Sequence, residues 1–249
     1  MSSSGIILAS IKDGLKNILR NCLEIWIRTG EIDQIEDRTI DEILLRTLRS
    51  IGEEKKGKIH IRFQNITYVF SEPPTGSIGG RPPYDALVEV FINGKKRVTV
   101  FLNNKVGRLD SNARNDITTY HALLRLYLGS ASPRFTTITP EMKKIIRRRV
   151  SGKEIIGYCV FVVDTTRREN IDSAFNLFFL EELTDMYVNP RQDKFQVEYR
   201  PKLRKIPMNY HDFIKEFINA CIEALKRKIN VAEKEIQKLR DVLELIAKA

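Results

Sequence analysis

The stretch PPYDALVEVFINGKKRVTVFLNNKVG, residues 82 to 107, decides the fold of this chain. Two apolar runs rich in β-branched residues flank Asn93-Gly94, which is the strongest short signal for a two-residue hairpin turn. We therefore predict antiparallel strands over about residues 86 to 92 and 97 to 103.

Polar residues stand where these two strands begin and end. Asp85 precedes the first strand, and the second strand ends in Asn103, Asn104 and Lys105. Because strand side chains alternate, Asn103 and Lys105 share one face, while Asn104 points to the other and offers its backbone carbonyl. The register of the hairpin brings Asp85 next to Asn103. We expect a carboxylate, an amide oxygen and an ammonium to converge at one end of the sheet.

This set of groups suits metal-dependent hydrolysis of a phosphodiester. Mg²⁺ prefers hard oxygen ligands, and Asp85, the Asn103 side-chain oxygen and the Asn104 carbonyl can supply them. Such an ion polarises a phosphate and lowers the pKa of a bound water. Lys105 is predicted to hold the nucleophile and to offset the charge that builds up on phosphorus. The alternative is a hairpin whose polar end only faces solvent.

These residues resemble the P-D…(D/E)-x-K active site of the restriction-endonuclease-like nucleases. The matching string is Pro83-Tyr84-Asp85, then 17 residues, then Asn103-Asn104-Lys105. The chain departs from the pattern twice, because Tyr84 separates the proline from the aspartate and Asn103 replaces the second acid. Asn-x-Lys versions are known among active type II restriction endonucleases. The resemblance implies such an enzyme, with catalytic residues Asp85, Asn103 and Lys105.

The resemblance also implies an architecture. The fold class is α/β (α+β), with a restriction-endonuclease-like core in which helices flank a mixed central sheet. We expect a single nuclease domain over residues 1–249, divided into a helical part (1–58), a catalytic core (59–165), a recognition and sheet extension (166–208) and a C-terminal helix (209–249). In this fold the N-terminal helices pack beside the site, so Glu42 is the candidate for a further metal ligand, with Glu24 in reserve.

The spacing of apolar and turn residues predicts the remaining elements. Helices are predicted at 6–28, 39–51, 112–128, 171–185 and 210–247, the last one broken or kinked near 229–231. One strand is predicted at 59–70, a buried strand at 155–163, and strands and turns at 186–208. The terminal helix either packs on the core or pairs with its counterpart in a second copy.

The charge of the chain points to a polyanionic partner. The net charge is +10, and residues 1 to 60 contain equal numbers of acidic and basic side chains, so the excess lies in the remainder. Double-stranded DNA is the expected partner. Predicted phosphate contacts are Lys143, Arg147, Arg148 and Arg204. Predicted base contacts lie in two segments, Ser111, Asn112, Arg114 and Asn115 after the second hairpin strand, and Asn189, Arg191, Gln192 and Lys194 in a later turn.

The sequence leads to a working hypothesis and two alternatives. We expect a Mg²⁺-dependent, sequence-specific endonuclease that cuts both DNA strands as a homodimer and leaves 5′-phosphate and 3′-hydroxyl ends. The alternatives are a Holliday-junction or repair nuclease of the same fold, and a non-catalytic DNA-binding protein that lost an acid at position 103.

Composition also predicts where the protein acts. No apolar stretch approaches the roughly 20 residues of a membrane span, and the N-terminus lacks the features of a signal peptide. Cys22, Cys159 and Cys221 form neither a metal spacing nor a disulfide framework. We therefore expect a cytoplasmic protein with no membrane partner.

Overall fold

A computed structural model of the chain describes residues 3–73, 82–109, 115–129, 137–184, 186–190, 196–199 and 202–248. The helices in these ranges are α1 (Ser3–Thr29), α2 (Ile40–Ile51), α3 (Tyr120–Leu128), α4 (Pro140–Val150), α5 (Ile171–Ala174) and α6 (Tyr210–Lys248), with short 3-10 turns at Glu31–Gln34 and Leu180–Glu182. The strands are β1 (Glu53–Lys55), β2 (Lys58–Phe63), β3 (Ile66–Ser71), β4 (Ala86–Ile92), β5 (Lys95–Val106), β6 (Asn115–Thr119), β7 (Ile155–Val163), β8 (Phe175–Phe179), β9 (Met186–Asn189) and β10 (Gln196–Tyr199).

A seven-stranded sheet with the order β1-β2-β3-β4-β5-β7-β8 forms the centre of the molecule. Neighbouring strands are antiparallel except β5 and β7, which run parallel. A separate three-stranded antiparallel sheet has the order β6-β10-β9. The protein is thus a mixed α/β fold with a mostly antiparallel central sheet, as the sequence predicts in outline.

The hairpin of β4 and β5 forms as predicted. Its turn is Asn93-Gly94, and both residues have positive φ, 51° and 73°, which matches the twist of the two strands. Ala86 pairs with Leu102, so Asp85 and Asn103 lie one step beyond this pair. β7, at 155–163, is buried along its whole length, again as predicted.

Two hydrophobic cores cover the two faces of the central sheet. Helices α1 and α2 pack on the face that carries Val98, Val100 and Leu102 of β5. Helix α3 and the first half of α6 pack on the opposite face, which carries alternate residues of β7. Because each strand contributes side chains to both faces, the polar ends of β4 and β5 emerge between the two cores.

Two predicted elements proved wrong near the site. The single strand predicted at 59–70 is two antiparallel strands, β2 and β3, because the chain reverses at Gln64, which adopts a positive φ of 55°. The helix predicted at 112–128 starts only at Tyr120. The residues Ile117, Thr118 and Thr119 before it are β-branched, and they pair with β10 instead.

Two further elements differ towards the C-terminus. The helix predicted at 171–185 is only one turn, α5, because Phe175–Phe179 pair with β7 as the edge strand β8. Helix α6 runs unbroken through residues 229–231, where β-branched residues weaken helix propensity but neither glycine nor proline interrupts it. Across the described ranges no helix has the length and apolarity that crossing a bilayer requires. The three cysteines are buried and free.

Candidate active site

The ends of β4 and β5 hold Asp85 by two hydrogen bonds. Its backbone N–H donates to the Leu102 carbonyl at 2.7 Å. Its carboxylate Oδ2 accepts from the backbone N–H of Asn104 at 2.8 Å. The carboxylate is therefore fixed beside the Asn-Asn-Lys end of β5, as the hairpin register predicts.

Asn103 is buried, with 5% of its surface exposed. Its amide Nδ2 donates to the hydroxyl of Tyr158 at 2.7 Å and to the Pro83 carbonyl at 3.3 Å. The Tyr158 hydroxyl itself donates to the Pro83 carbonyl. Burial raises the pKa of Tyr158 well above its ordinary value, so this hydroxyl keeps its proton and acts as a donor. The three contacts fix which end of the amide faces Pro83.

The other end of the Asn103 amide is the atom predicted to bind a metal. Its Oδ1 is buried and has no hydrogen-bond partner among the described residues. Leaving such an oxygen unsatisfied costs on the order of 1–3 kcal/mol. If Oδ1 and Nδ2 exchanged places, the contact with the Pro83 carbonyl would be lost, and Oδ1 could bond Tyr158 only by drawing its proton away from Pro83. The strand end thus holds one oriented, unsatisfied amide oxygen.

Asn104 points to the opposite face of β5, towards α2. Its Nδ2 donates to the carboxylate Oδ1 of Asp41 at 3.0 Å, and its own Oδ1 is likewise buried without a partner in the part of the chain that the structure describes. Asp37, just before α2, accepts from the backbone N–H of Val106 at 3.1 Å. The carboxylate of Asp37, just before α2, and that of Asp41, in its first turn, therefore both contact the end of β5.

The structure places Asp41, one position before the predicted ligand Glu42, against the side chain of Asn104, whereas Glu42 is exposed. Successive helix residues point about 100° apart, so only one of the two neighbours can face the strand. Glu24, the reserve, is also exposed and pairs with Arg20. Asp41 lies in the first turn of α2, just after the N-cap residue Thr39. This position is the sequence feature that could have pointed to Asp41.

Lys105 lies on the same face of β5 as Asn103, two residues further along. This spacing corresponds to about 7 Å between their Cα atoms. The side chain is partly exposed. Its strand neighbour on the other side is Val162 of the parallel strand β7. Lys105 is thus a half-buried residue on the face of β5 that carries Asn103.

The described residues contain no cluster of three or more His, Cys, Asp or Glu side chains that could bind a metal. An ion at this site would therefore depend on amide oxygens as well as on carboxylates. Asp85 and the Asn103 Oδ1 offer one such pair, and Asp41 and the Asn104 Oδ1 offer another. A single ion cannot take both amide oxygens, because consecutive strand side chains point to opposite faces. Hard oxygen donors of this kind fit Mg²⁺, which retains several waters.

The basic residues of α4 differ in their surroundings. Lys143, Arg147 and Arg148 are exposed, and Arg148 pairs with Glu154 at 3.7 Å. Arg149 is instead buried, and it donates to the last carbonyls of α3, those of Leu126 (2.8 Å) and Tyr127. The exposed face of α4 is thus available to a polyanion, whereas Arg149 fastens α4 to α3.

Two other residues predicted to contact DNA have partners within the fold. Arg204 pairs with the Glu216 carboxylate at 3.1 Å and donates to the Leu183 carbonyl at 3.2 Å. Asn189, at the end of β9, donates to the carboxylate of Glu198 on β10. Asn115 begins β6. The remaining predicted base contacts, Ser111, Asn112, Arg114, Arg191, Gln192 and Lys194, lie outside the described residues.

The two segments predicted to read bases flank opposite ends of the small sheet. Residues 111–114 lead into β6 at Asn115, which pairs with Tyr199. Residues 191–195 join β9 to β10 at the pair of Asn189 and Gln196. These two ends are separated by three residues of β10, or about 10 Å.

Comparison with known proteins identifies the family. No protein-family model matches the chain. The type II restriction enzyme MjaIV of Methanocaldococcus jannaschii is 39% identical to it over 234 residues, which cover 92% of this chain and 87% of that enzyme. Identity at this level over nearly the whole length of both proteins establishes common descent, and the chain therefore belongs to the type II restriction enzymes, which are site-specific deoxyribonucleases.

Proposed function

We propose that this protein is a Mg²⁺-dependent type II restriction endonuclease that cleaves double-stranded DNA at a specific sequence, as a homodimer. The products are 5′-phosphate and 3′-hydroxyl ends. The relationship to MjaIV supports the endonuclease class. The observation that carries the catalytic assignment is the buried, unsatisfied Oδ1 of Asn103 beside Asp85 and Lys105.

Asp85 and the Asn103 Oδ1 would hold the divalent ion, with Asp41 and Asn104 as a second oxygen pair behind the strand. A bound Mg²⁺ supplies polarisation of the phosphate and a lowered pKa for an adjacent water. Tyr158 holds the Asn103 amide nitrogen, so the amide oxygen is the end that would face a bound ion. Because asparagine stands where this site type ordinarily has a second acid, these residues would hold an ion with less negative charge and bind it more weakly.

Lys105 would position the attacking water and offset the negative charge that develops on phosphorus. Attack in line with the leaving group forms a new P–O bond to water and breaks the bond between phosphorus and the 3′ oxygen. The 3′ oxygen takes up a proton and leaves as a hydroxyl. The phosphate stays on the 5′ end.

Contacts with the duplex come from outside this centre. We assign residues 59–165 to the catalytic core and 166–208 to recognition. The exposed face of α4, with Lys143, Arg147 and Arg148, would contact phosphates, which position the duplex without reading its sequence. The segments on either side of the small sheet would read bases.

Cleavage of a plasmid and of a mapped genome with Mg²⁺ tests the proposal. We expect discrete fragments from the wild type and loss of cleavage in Asp85→Ala and Lys105→Ala. Lys95→Ala is the matched control, because Lys95 is an exposed lysine at the other end of β5. Preference for branched DNA would instead favour a junction-resolving nuclease. Tight DNA binding without cleavage at any metal concentration would favour the non-catalytic alternative.

A further inference from the structure

Helix α6 divides into a packed half and an unsupported half. The helix is 39 residues long. In its first half Phe213, Phe217, Cys221 and Ala224 are buried against the second core. From residue 230 to 241 every residue is exposed. The second half therefore projects away from the described part of its own chain.

The projecting half carries a regular apolar seam. Apolar residues recur at alternating steps of three and four positions, namely Ile222, Leu225, Ile229, Ala232, Ile236 and Leu239. This spacing is the heptad repeat of a coiled coil, with isoleucine at the a positions 222, 229 and 236. Its large members among residues 222–239 are between 40% and 65% exposed. Single exposed apolar residues are common, but an ordered row of them on a bare helix is a contact surface.

We propose that this seam pairs with the same seam of a second copy, in a parallel two-stranded coiled coil. Between residues 222 and 239 isoleucine occupies all three a positions and leucine two of the three d positions, the combination that favours two parallel strands over three or four. From Ile222 to Leu239 the seam is about 26 Å long. An isolated helix of this kind is marginal in water, so pairing would stabilise it.

The charges beside the seam select a second copy in parallel orientation. In a parallel dimer each g residue faces the e residue five positions later on the partner helix. Here Lys228 would face Glu233 and Glu235 would face Arg240, so all these pairs carry opposite charges. Such residues cannot pair within one helix, where neighbours are three or four positions apart. This arrangement of charges fits a contact between two parallel helices.

The base of the coil is fastened next to the small sheet. Arg227 donates to the Val188 carbonyl of β9 at 3.1 Å, and its guanidinium lies 5.0 Å from the ring centre of Tyr187. Pairing of the two α6 helices would thus set the two small sheets in a fixed two-fold relationship. Two equivalent reading segments related in this way match a symmetric DNA site. This inference gives the proposed homodimer its contact surface.

Sedimentation equilibrium of the full-length protein without DNA tests the seam. We expect a dimer for the wild type and a monomer for the double variant Ile229→Asp/Ile236→Asp. Val231→Asp is the matched control, because Val231 is 56% exposed on the same helix but lies off the seam, and it should remain dimeric. A monomeric wild type, a trimer or tetramer, or a dimer that survives the double seam substitution would overturn the proposal.

Charge reversal and cross-linking test the orientation. Glu235→Arg alone should raise the dimer dissociation constant by about tenfold, because it sets two arginines opposite each other twice per dimer. Adding Arg240→Glu should restore the wild-type constant. Ala232→Cys should form a disulfide-linked dimer on oxidation, because equal d positions meet only in the parallel register. No rescue together with no cross-link would rule out this orientation.

These experiments measure mass and not cleavage. A failure of the coiled coil would leave the nuclease assignment standing. Conversely, a dimer that cuts no DNA would leave the seam in place and remove the catalytic assignment.

Discussion

The hydroxyl of Tyr158 lies 2.7 Å from the amide nitrogen of Asn103, across the parallel pair of β7 and β5. The same hydroxyl donates to the Pro83 carbonyl, so one buried side chain ties the segment before Asp85 to the strand that ends in Lys105. Under the proposed function, this contact would let an asparagine serve where related sites have an acid. The amide nitrogen is bonded within the protein, and the amide oxygen would be the atom offered to a ligand.

Tyr158→Phe should therefore weaken metal binding more than it weakens the fold. We expect the Mg²⁺ concentration for half-maximal cleavage and the metal dissociation constant from calorimetry to rise by at least about tenfold, because the Asn103 amide can rotate. The free energy of unfolding should fall by only about 1 kcal/mol, the contribution of one hydrogen bond.

Tyr127→Phe is the control for this experiment. Tyr127 is a buried tyrosine on the same side of the sheet, and its hydroxyl donates to Glu181 at 2.8 Å, away from Asn103. It should lose similar stability and keep the wild-type requirement for Mg²⁺. Equal metal affinity in Tyr158→Phe and the wild type would remove the positioning role of Tyr158.

Asn103→Asp should bind Mg²⁺ about tenfold more tightly and keep or raise activity, because it adds a carboxylate to the ion's ligands. The Tyr158 hydroxyl has one proton, which in this variant goes either to the new carboxylate or to the Pro83 carbonyl, so Pro83 loses at least one of its two donors. Asn103→Leu, of similar size and without oxygen, should abolish metal binding. Calorimetric titration and cleavage rates measure both, and complete loss of cleavage in Asn103→Asp would argue against a ligand role.

The hairpin at the centre of the site could be predicted because its determinants are local. Asn93-Gly94 specifies the turn, the turn sets the register, and the register places Asp85 beside Asn103 and Asn104. The apolar run of β7 was equally clear, since nine consecutive residues bury on both faces. Local sequence was therefore sufficient for the strands that carry the site.

Other features depend on distant parts of the chain and were missed. The partner of Asn103 is 55 residues away, and no local pattern connects the two. The segment of β8 was predicted to be helical because the spacing of its apolar residues fits both a helix and a strand. Only its pairing with β7 decides between the two. Glu42 was predicted in place of Asp41, because a choice between two adjacent helix residues requires knowing which side of the helix faces the sheet.

Asp41→Asn and Glu42→Gln separate the two neighbouring acids. Asp41→Asn retains an oxygen that can accept from Asn104 and removes only the negative charge. If that charge supports the ion, the cleavage rate at limiting Mg²⁺ should fall by about tenfold or more. Glu42 is exposed, so Glu42→Gln should stay within about twofold of the wild type. Equal effects of the two changes would show that Asp41 acts only by packing.

Glu181 should make the fold less stable as the pH rises. Burial raises the pKa of its carboxyl to about 8, although a hydrogen bond from Tyr127 acts in the opposite direction. The folded state therefore binds a proton that the unfolded state releases above its ordinary pKa of 4.5. The stability from this group is fully present below that value and declines up to about pH 8, by at most about 1.4 kcal/mol per pH unit.

Glu181→Gln should remove this part of the pH dependence. Denaturant unfolding at pH 6, 7, 8 and 9 should show the variant gaining stability over the wild type as the pH rises. Glu169→Gln, at an exposed position, should follow the wild-type curve. Parallel curves for Glu181→Gln and the wild type would mean that the carboxyl titrates near its ordinary range.

Arg147 and Arg149 of α4 should affect different properties of the protein. Arg147 is exposed and should affect the affinity for DNA, whereas Arg149 is buried and should affect the stability of the fold. Arg147→Ala removes an exposed charge, so DNA affinity measured without Mg²⁺ should fall uniformly across sequences, and the slope of log affinity against log salt should decrease by about 1. Arg149→Leu removes the buried contacts to Leu126 and Tyr127 and the 2.9 Å ion pair with Glu154, which keeps only the longer contact with Arg148 at 3.7 Å. It should lower the free energy of unfolding by about 3 kcal/mol and leave the salt slope of the remaining folded protein unchanged. A reduced salt slope in Arg149→Leu, or an unchanged slope in Arg147→Ala, would contradict the assignment of this helix face to the phosphate backbone.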